Sequence, residues 1–173
     1  EGAAKETGLP HGYHSGMRIL LVGEGNLSFA LALTTLFDGD GSNLLVTSFD
    51  RQRIARAAYP YCEDVEESLT ESGAAVVFDV DVEEPDALRG GFDRIVFNFP
   101  DAGANQDMLG AFFDSAKGLL RRNGEVHVAT QRGQGIEVAS AWNVTGVAAR
   151  HGLVYRASLD FEPGAFPGYE HYR

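Results

Sequence analysis

Short apolar runs alternate with stretches of helical periodicity along most of the chain, and this alternation constrains the fold more than any other feature. The first apolar run, residues 18–22, ends at a glycine, and residues 28–37 then carry apolar side chains at helical spacing. The same alternation predicts strands at 44–49, 75–80, 92–97, 125–130, 153–161 and 166–172, and helices at 51–58, 62–72, 106–120 and 138–150. Because strands that alternate with helices pair in parallel, the sequence predicts an α/β fold, a mostly parallel, doubly wound sheet of about seven strands with helices on both faces.

The chain length of 173 residues fits one domain. Residues 1–16 are rich in glycine and lack periodicity, which predicts a flexible N-terminal arm ahead of a domain at 17–173. Cys62 is the single cysteine, so no internal disulfide can form and a reducing, intracellular compartment is expected. The histidines are scattered without metal-ligand spacing, and no apolar run is long enough to span a membrane, so we expect neither a metal nor a membrane partner.

The net charge of −11 argues against a simple RNA-binding surface, because proteins that hold a phosphate backbone offer a basic face. The acidic clusters at 63–71 and 79–86 are typical of solvated surfaces. Arginines gather at 51–56 and at 121–122, which leaves room for a local basic patch. An RNA partner would therefore call for a protein partner that supplies basic surface.

The most informative residues follow the predicted strands, because open α/β sheets bind ligands at the carboxyl ends of their strands. The first strand runs into Gly23-Glu-Gly-Asn-Leu-Ser28 at the start of a helix. Glycines allow a ligand close to the backbone there, and the helix start offers unpaired N–H groups. Ser28 replaces the third glycine of a dinucleotide fingerprint, so a purely structural tight turn is the alternative.

Acidic residues follow the second and third strands. Asp50 can accept both hydroxyls of an adenosine ribose, or it can cap the next helix. Asp79 and Asp81 fall on one side of an extended segment, where either could meet an adenine amino group or could be a surface acid.

The fourth strand ends in Asn98-Phe-Pro-Asp101. Asn98 can offer a carbonyl acceptor to a planar N–H, Phe99 can stack on a base, and Pro100 stiffens the loop. These residues are suited to holding a flat nitrogen heterocycle, and a capped turn is the structural alternative.

Several of these stretches together resemble one family, the ribosomal-RNA uridine-N3 methyltransferase-like proteins. The resemblance is carried by residues 19–29, Val46-Thr-Ser-Phe-Asp50, residues 92–100, Gly124-Glu-Val-His-Val128 and the tail Phe166-Pro-Gly-Tyr-Glu-His171. It extends from about residue 17 to residue 173 and implies a Rossmann-like class I methyltransferase that uses S-adenosylmethionine.

The resemblance also implies roles for individual residues. Those that would bind the cofactor are Gly23, Glu24, Gly25, Asn26, Ser28, Phe29, Asp50, Asp79 and Asp81, with the first four around its methionine part, Asp50 on the ribose and Asp81 near the adenine. Those that would face the acceptor base are Asn98, Phe99, Pro100 and Asp101.

The sequence departs from the family pattern at two places on the substrate side. Asp101 stands where the family usually has histidine, and an unshifted carboxylate is a weak base near neutral pH. Residues 133–142 also differ, because the family more often has a Pro-Tyr pair before the tryptophan.

Methylation of uridine N3 in ribosomal RNA, in the nucleolus, the cytoplasm or an organelle, is the expected activity. A catalytically inactive methyltransferase-like domain that serves as a scaffold or assembly component is the alternative. A nucleotide-dependent oxidoreductase is the least favoured interpretation, since the third glycine is missing.

Overall fold

The computed structural model describes residues 8–81, 88–100, 105–131 and 142–171, and every structural statement below concerns these residues. The strands are β1 Ile19–Val22, β2 Leu44–Thr47, β3 Ala75–Val77, β4 Phe92–Asn98 and β5 Leu120–Ala129. The helices are α1 Ser28–Leu36, α2 Gln52–Ala58, α3 Cys62–Glu71, α4 Gln106–Leu119 and α5 Val144–Arg150, with 3-10 turns at Pro10–Gly12 and Pro163–Ala165.

The strands form one parallel sheet in the order β3-β2-β1-β4-β5. Leu21 is in register with Val46 on one side and with Val96 on the other. β2 and β3 therefore lie on one side of β1, and β4 and β5 lie on its other side. This arrangement places the reversal of strand order between β1 and β4, as expected for a doubly wound sheet.

Each face of the sheet buries its own apolar cluster, which explains why the strands read as continuous apolar runs. One face packs against α1, α3 and the segments near both ends of the described chain, through Ile19, Leu21, Val46 and Val96. The other face packs against α4 and α5, through Leu20, Val22, Phe92, Ile95 and Phe97. Helices thus cover both faces, and the predicted fold class is confirmed.

Part of the segment expected to be a loose arm packs against the domain. Tyr13 is only 2% exposed and belongs to the first apolar cluster. Its hydroxyl lies 2.6 Å from His127 Nδ1 on β5. The packed fold therefore includes residues that precede Met17, because the ring of Tyr13 packs against His127 of β5. Residues 1–7 lie outside the described part of the chain.

Among the described residues the sheet has five strands, and the predicted strands at 153–161 and 166–172 do not form. Residues 154–160 are exposed, Val154 to 92%, so their apolar side chains do not line a sheet face. In the second segment Pro167 lacks an N–H and Gly168 has a φ of +77°, which turns the chain after Phe166.

The bounds of two further predicted elements also differ. β5 begins at Leu120 and includes Asn123, whose φ of +65° accompanies a shift of register against β4, where a turn before the strand was expected. The last helix begins at Val144, and residues 132–141 lie outside the described residues. None of the helices that the structure describes combines the length and apolarity needed to cross a bilayer.

Tyr13→Ala should lower the free energy of unfolding by about 3–5 kcal/mol, the usual cost of truncating a buried aromatic ring. Urea titration at neutral pH measures this change. Tyr61→Ala is the matched control, because Tyr61 is 77% exposed and its truncation should change the free energy of unfolding by less than about 0.5 kcal/mol. Equal, small effects of both substitutions would mean that residues 8–16 do not pack as described.

Candidate active site

The carboxyl ends of the first four strands meet at one edge of the sheet. The Glu24 N–H donates to the Thr47 carbonyl (2.9 Å), and the Ser48 N–H donates to the Val77 carbonyl (3.0 Å). On the other side of β1, the aromatic rings of Phe49 and Phe97 lie 5.9 Å apart in an edge-to-face contact. The turns that follow β1, β2 and β4 are therefore neighbours, as the sequence predicted.

The turn after β1 requires glycine at two positions. Gly23 has a φ of +65°, and a Cβ atom there would overlap the ring of Phe49. A Cβ atom on Gly25 would lie 3.0 Å from the Tyr59 hydroxyl oxygen. The absence of side chains therefore brings the backbone of this turn against aromatic groups from the loop after β2 and from the end of α2.

Glu24 is a buried acid within the same turn. Its residue is 8% exposed, and within the described part of the chain its Oε1 atom has no hydrogen-bond partner. Burial raises the pKa of its carboxyl from the ordinary 4.5 to about 8, and a hydrogen bond from the Ala30 backbone offsets part of the increase. A buried carboxyl with an unpartnered oxygen is suited to a cationic group brought by a ligand.

The side chains of the next polar residues in the turn are engaged with the C-terminal segment. The Asn26 Nδ2 group donates to the Glu170 carbonyl (2.9 Å), while its Oδ1 accepts from the N–H and the hydroxyl of Ser28. The Ser28 hydroxyl in turn accepts from the Glu170 N–H (3.0 Å). Sequence reasoning assigned Asn26 and Ser28 to the cofactor and did not connect them with the tail.

Phe29 completes this arrangement from the first turn of α1. Its ring is 1% exposed and packs 4.8 Å from Phe166 and 5.9 Å from Tyr169. Phe161 adds a ring stacked 5.2 Å from Phe166. The side chain of Phe29 thus anchors the tail, and any contact of this residue with a cofactor would use its backbone.

Asp50 follows β2 at the same edge and is half-buried. The residue that caps α2 is Arg51, and no side-chain cap bond is formed, so Asp50 does not serve as the helix cap. The alternative of an N-cap role, which the sequence left open, is therefore not supported by the geometry.

The two acids after β3 are placed differently from the extended arrangement that the sequence suggested. β3 ends at Val77, and Asp79 has a φ of +60°. The alternation of side chains between the two faces of a strand therefore does not extend to Asp81. The carboxylate of Asp79 lies 3.8 Å from Arg51 Nε in an exposed ion pair. Both residues are exposed.

The β4 end presents Asn98 and Phe99. Asn98 is half-buried as the last residue of β4, and the N–H of Phe99 donates to the Ala129 carbonyl of β5 (2.8 Å). Phe99 has a φ of +49°, a strained conformation for a residue with a side chain. Its ring meets Phe161 at 5.0 Å and His171 at 4.5 Å, both edge to face. Pro100 is buried, and Asp101 lies outside the described residues.

Comparison with known proteins identifies the family of the chain. The family model described as "rRNA (uridine-N3-)-methyltransferase BTM5-like" matches residues 20–173. The chain belongs to this BMT5-like family. Members are methyltransferases, and the methyl donor of the family is S-adenosylmethionine.

Individual relatives are longer than the matched region. The chain is 36% identical to heavy metal-associated isoprenylated plant protein 41 of Arabidopsis thaliana, over 93% of this chain and 34% of that protein. It is 37% identical to a mouse homologue of ferredoxin-fold anticodon-binding domain-containing protein 1, over 88% of this chain and 27% of that protein. The chain therefore spans about a third and about a quarter of these two relatives.

One solved structure supports the fold. TrmN from Thermus thermophilus superimposes with a TM-score of 0.55 at 18% identity, over 80% of this chain and 36% of that one. At this level of identity the likeness concerns the fold alone. No group of three or more histidine, cysteine or acidic side chains within the described ranges is arranged to hold a metal ion.

The buried carboxyl of Glu24 should make stability depend on pH. Because its pKa is raised on folding, the folded state keeps a proton that the unfolded state loses between pH 4.5 and about 8. Stability should therefore fall as pH rises through this window, by roughly 1.4 kcal/mol per pH unit. Glu24→Gln should remove this dependence, as measured by urea unfolding from pH 5 to pH 8.

Glu67→Gln is the control for this measurement, because Glu67 lies exposed on α3 and the substitution is the same. This variant should retain the wild-type slope of stability against pH. Parallel curves for the wild type and Glu24→Gln would show that the Glu24 carboxyl ionises normally in the folded protein.

Proposed function

We propose that this protein transfers a methyl group from S-adenosylmethionine to N3 of a uridine in ribosomal RNA. The observation that carries the proposal is the meeting, at one sheet edge, of a glycine-rich turn with a buried acid and a strand end that presents an amide beside an aromatic ring. The family match supports the same assignment, and its description supplies the uridine-N3 specificity.

The turn after β1 fits the amino acid part of the cofactor. The unpartnered oxygen of Glu24 would accept hydrogen bonds from a methionine ammonium group, and the backbone of Gly23 and Gly25 would lie beside the cofactor. Asp50, which does not cap α2, is the acid suited to the ribose hydroxyls. Asp81 is proposed near the adenine, which is the role that the family resemblance implies for it. The bound cofactor would supply an electrophilic methyl group.

The β4 end fits a flat acceptor base. Asn98 would donate its carboxamide N–H to a carbonyl oxygen of uracil beside N3. Phe99 would stack on or against the ring, and its strained backbone is held in place by β5. A paired uridine buries N3, so the substrate would be a single-stranded or flipped nucleotide.

The charge of the chain is the main argument for a protein partner. Two of the three arginines at 51–56, where the sequence left room for a basic patch, face carboxylates: Arg51 pairs with Asp79, and Arg56 pairs with Glu63 and Glu66. We therefore propose that basic surface for RNA comes from another protein or from another part of a longer chain. A ribosomal RNA substrate favours the nucleolus or the cytoplasm as the compartment.

Calorimetric titration with S-adenosylhomocysteine, combined with nucleoside mass spectrometry of RNA after incubation with S-adenosylmethionine, tests the proposal. We expect saturable binding and formation of 3-methyluridine. Absence of binding at high micromolar ligand would contradict the enzyme assignment. Binding without methylation of any ribosomal RNA fragment, including in a cell extract that supplies partners, would favour the scaffold alternative.

Asp50→Ala should abolish measurable S-adenosylhomocysteine binding while leaving the fold intact, because the ribose hydroxyls lose their acceptor. Calorimetry measures the affinity, and circular dichroism confirms folding. Asp64→Ala removes an acid from the exposed side of α3 and should bind like the wild type. Wild-type affinity in the Asp50 variant would show that the cofactor does not extend to the end of β2.

Asn98→Ala should leave cofactor affinity nearly unchanged and remove methyl transfer, because the amide is proposed to contact the acceptor base alone. The two quantities come from calorimetry and from the yield of 3-methyluridine. An equal loss of both would place Asn98 beside the cofactor instead of the base.

A further inference from the structure

The C-terminal segment 166–171 is fastened to the glycine-rich turn by bonds that use its backbone. Glu170 donates its N–H to the Ser28 hydroxyl (3.0 Å), and its carbonyl accepts from Asn26 Nδ2 (2.9 Å). The side chain of Glu170 is exposed and takes no part in these two bonds, which fix the path of the backbone. Their consequence is the position of the next residue, His171.

The imidazole of His171 lies at the β4 end of the site. Its centroid is 4.5 Å from the ring of Phe99, with an interplanar angle of 73°. Its Nδ1 atom is 3.0 Å from the hydroxyl oxygen of Tyr169. The ring of Tyr169 is in turn held against Phe29 at 5.9 Å and Phe161 at 5.5 Å. An ionisable group is thus placed against the residue that follows Asn98, and a packed aromatic residue orients it.

We propose that His171 is a catalytic residue that accepts the N3 proton of the acceptor uridine through Nε2, with Tyr169 as the residue that positions its ring. This inference rests on the proposed function. The N3–H bond breaks and its proton passes to Nε2 of His171. N3 uses the freed electron pair to bond the methyl carbon, whose former bonding pair remains on sulfur. The imidazolium then releases the proton to solvent.

The surroundings of His171 suit this role. Burial, together with the charge of Glu24, raises the pKa of Tyr169 to about 12, so its hydroxyl keeps its proton. A neutral phenol can accept a hydrogen bond from Nδ1–H, which leaves the lone pair of Nε2 available as a base. Glu24 is buried, and the neighbouring Glu170 carboxylate is exposed. Imidazole is the side chain best matched to proton transfer near neutral pH.

Substitutions at His171 separate proton transfer from packing. His171→Phe retains an aromatic ring against Phe99, and His171→Ala removes it. Both should lower kcat for 3-methyluridine formation by about 100-fold, the lower end of what a general base contributes. Affinity for S-adenosylhomocysteine, measured by calorimetry, should be unchanged in both. Added imidazole should restore part of the activity of His171→Ala, and the acidic limb of the kcat/KM profile should disappear. His14→Ala, a histidine outside the site, should behave as wild type.

A second measurement does not depend on activity. Nitrogen-15 NMR of the histidine side chains should show His171 of the wild type with its proton on Nδ1, and Tyr169→Phe should shift the tautomer towards Nε2–H. A dominant Nε2–H form in the wild type would overturn the proposal.

The outcomes also distinguish this inference from the proposed function. Full activity in His171→Phe would overturn the role of His171, even if His171→Ala is inactive, because a ring without a base would then be enough. The methyltransferase assignment would stand. A wild-type protein that binds S-adenosylhomocysteine and methylates no ribosomal RNA would overturn both.

Discussion

The parallel pairing of β1 with both β2 and β4 is the constraint on which the rest of the molecule depends. Leu21 sits in register with Val46 and Val96, so the chain leaves the first strand towards one side and later returns to the other. The crossovers on the two sides run in opposite directions from the carboxyl ends of β1 and β4. The turn at Gly23, the ring of Phe49 and the end of β4 meet there as a result.

Two residues at this edge of the sheet lower the stability of the folded protein. Glu24 is a buried carboxyl with an unpartnered oxygen, and Phe99 has a left-handed backbone conformation that costs on the order of 1–3 kcal/mol. Neither feature improves packing of the sheet, whose apolar clusters are complete without them. Destabilising features concentrated at one sheet edge are expected where a protein binds a ligand. A cation beside Glu24 would relieve the first of them by favouring the ionised carboxylate.

The sequence was most informative about features that depend on local residue patterns. Apolar runs predicted β1 to β4 to within about three residues, and strand-end positions brought together the Gly23 turn, Asp50 and Asn98. Long-range contacts were not readable: the bonds between Ser28 and Glu170 join residues 142 positions apart, and nothing local marks either as a partner. Residues 154–160, which are exposed within the predicted strand, show the opposite error, because β propensity without a neighbouring strand does not make a strand.

Backbone conformation set another limit. Phe99 and Asp79 both have positive φ values. Positive φ is expected mainly at glycine and asparagine, so the sequence did not indicate it at either position. The backbone turns at Asp79, so the extended conformation of β3 does not continue to Asp81. The carboxylate of Asp79 forms an ion pair with Arg51. The family resemblance marked the tail as informative, but only the coordinates show that it packs on the cofactor turn.

The distribution of charge bears on how an acidic protein of this family can act on RNA. Phosphate contacts normally supply most of the affinity of a nucleic-acid-binding protein, and they require unpaired cations. Here Arg51 and Arg56 face carboxylates within 4 Å, and Arg121 pairs with Asp93 at 3.1 Å. Under the proposed function, recognition would draw on the base itself, through stacking and hydrogen bonds, which depend little on net charge. A site built from Asn98, Phe99 and a tail-borne imidazole has that character, because each of the three offers a planar group and none contributes a fixed positive charge.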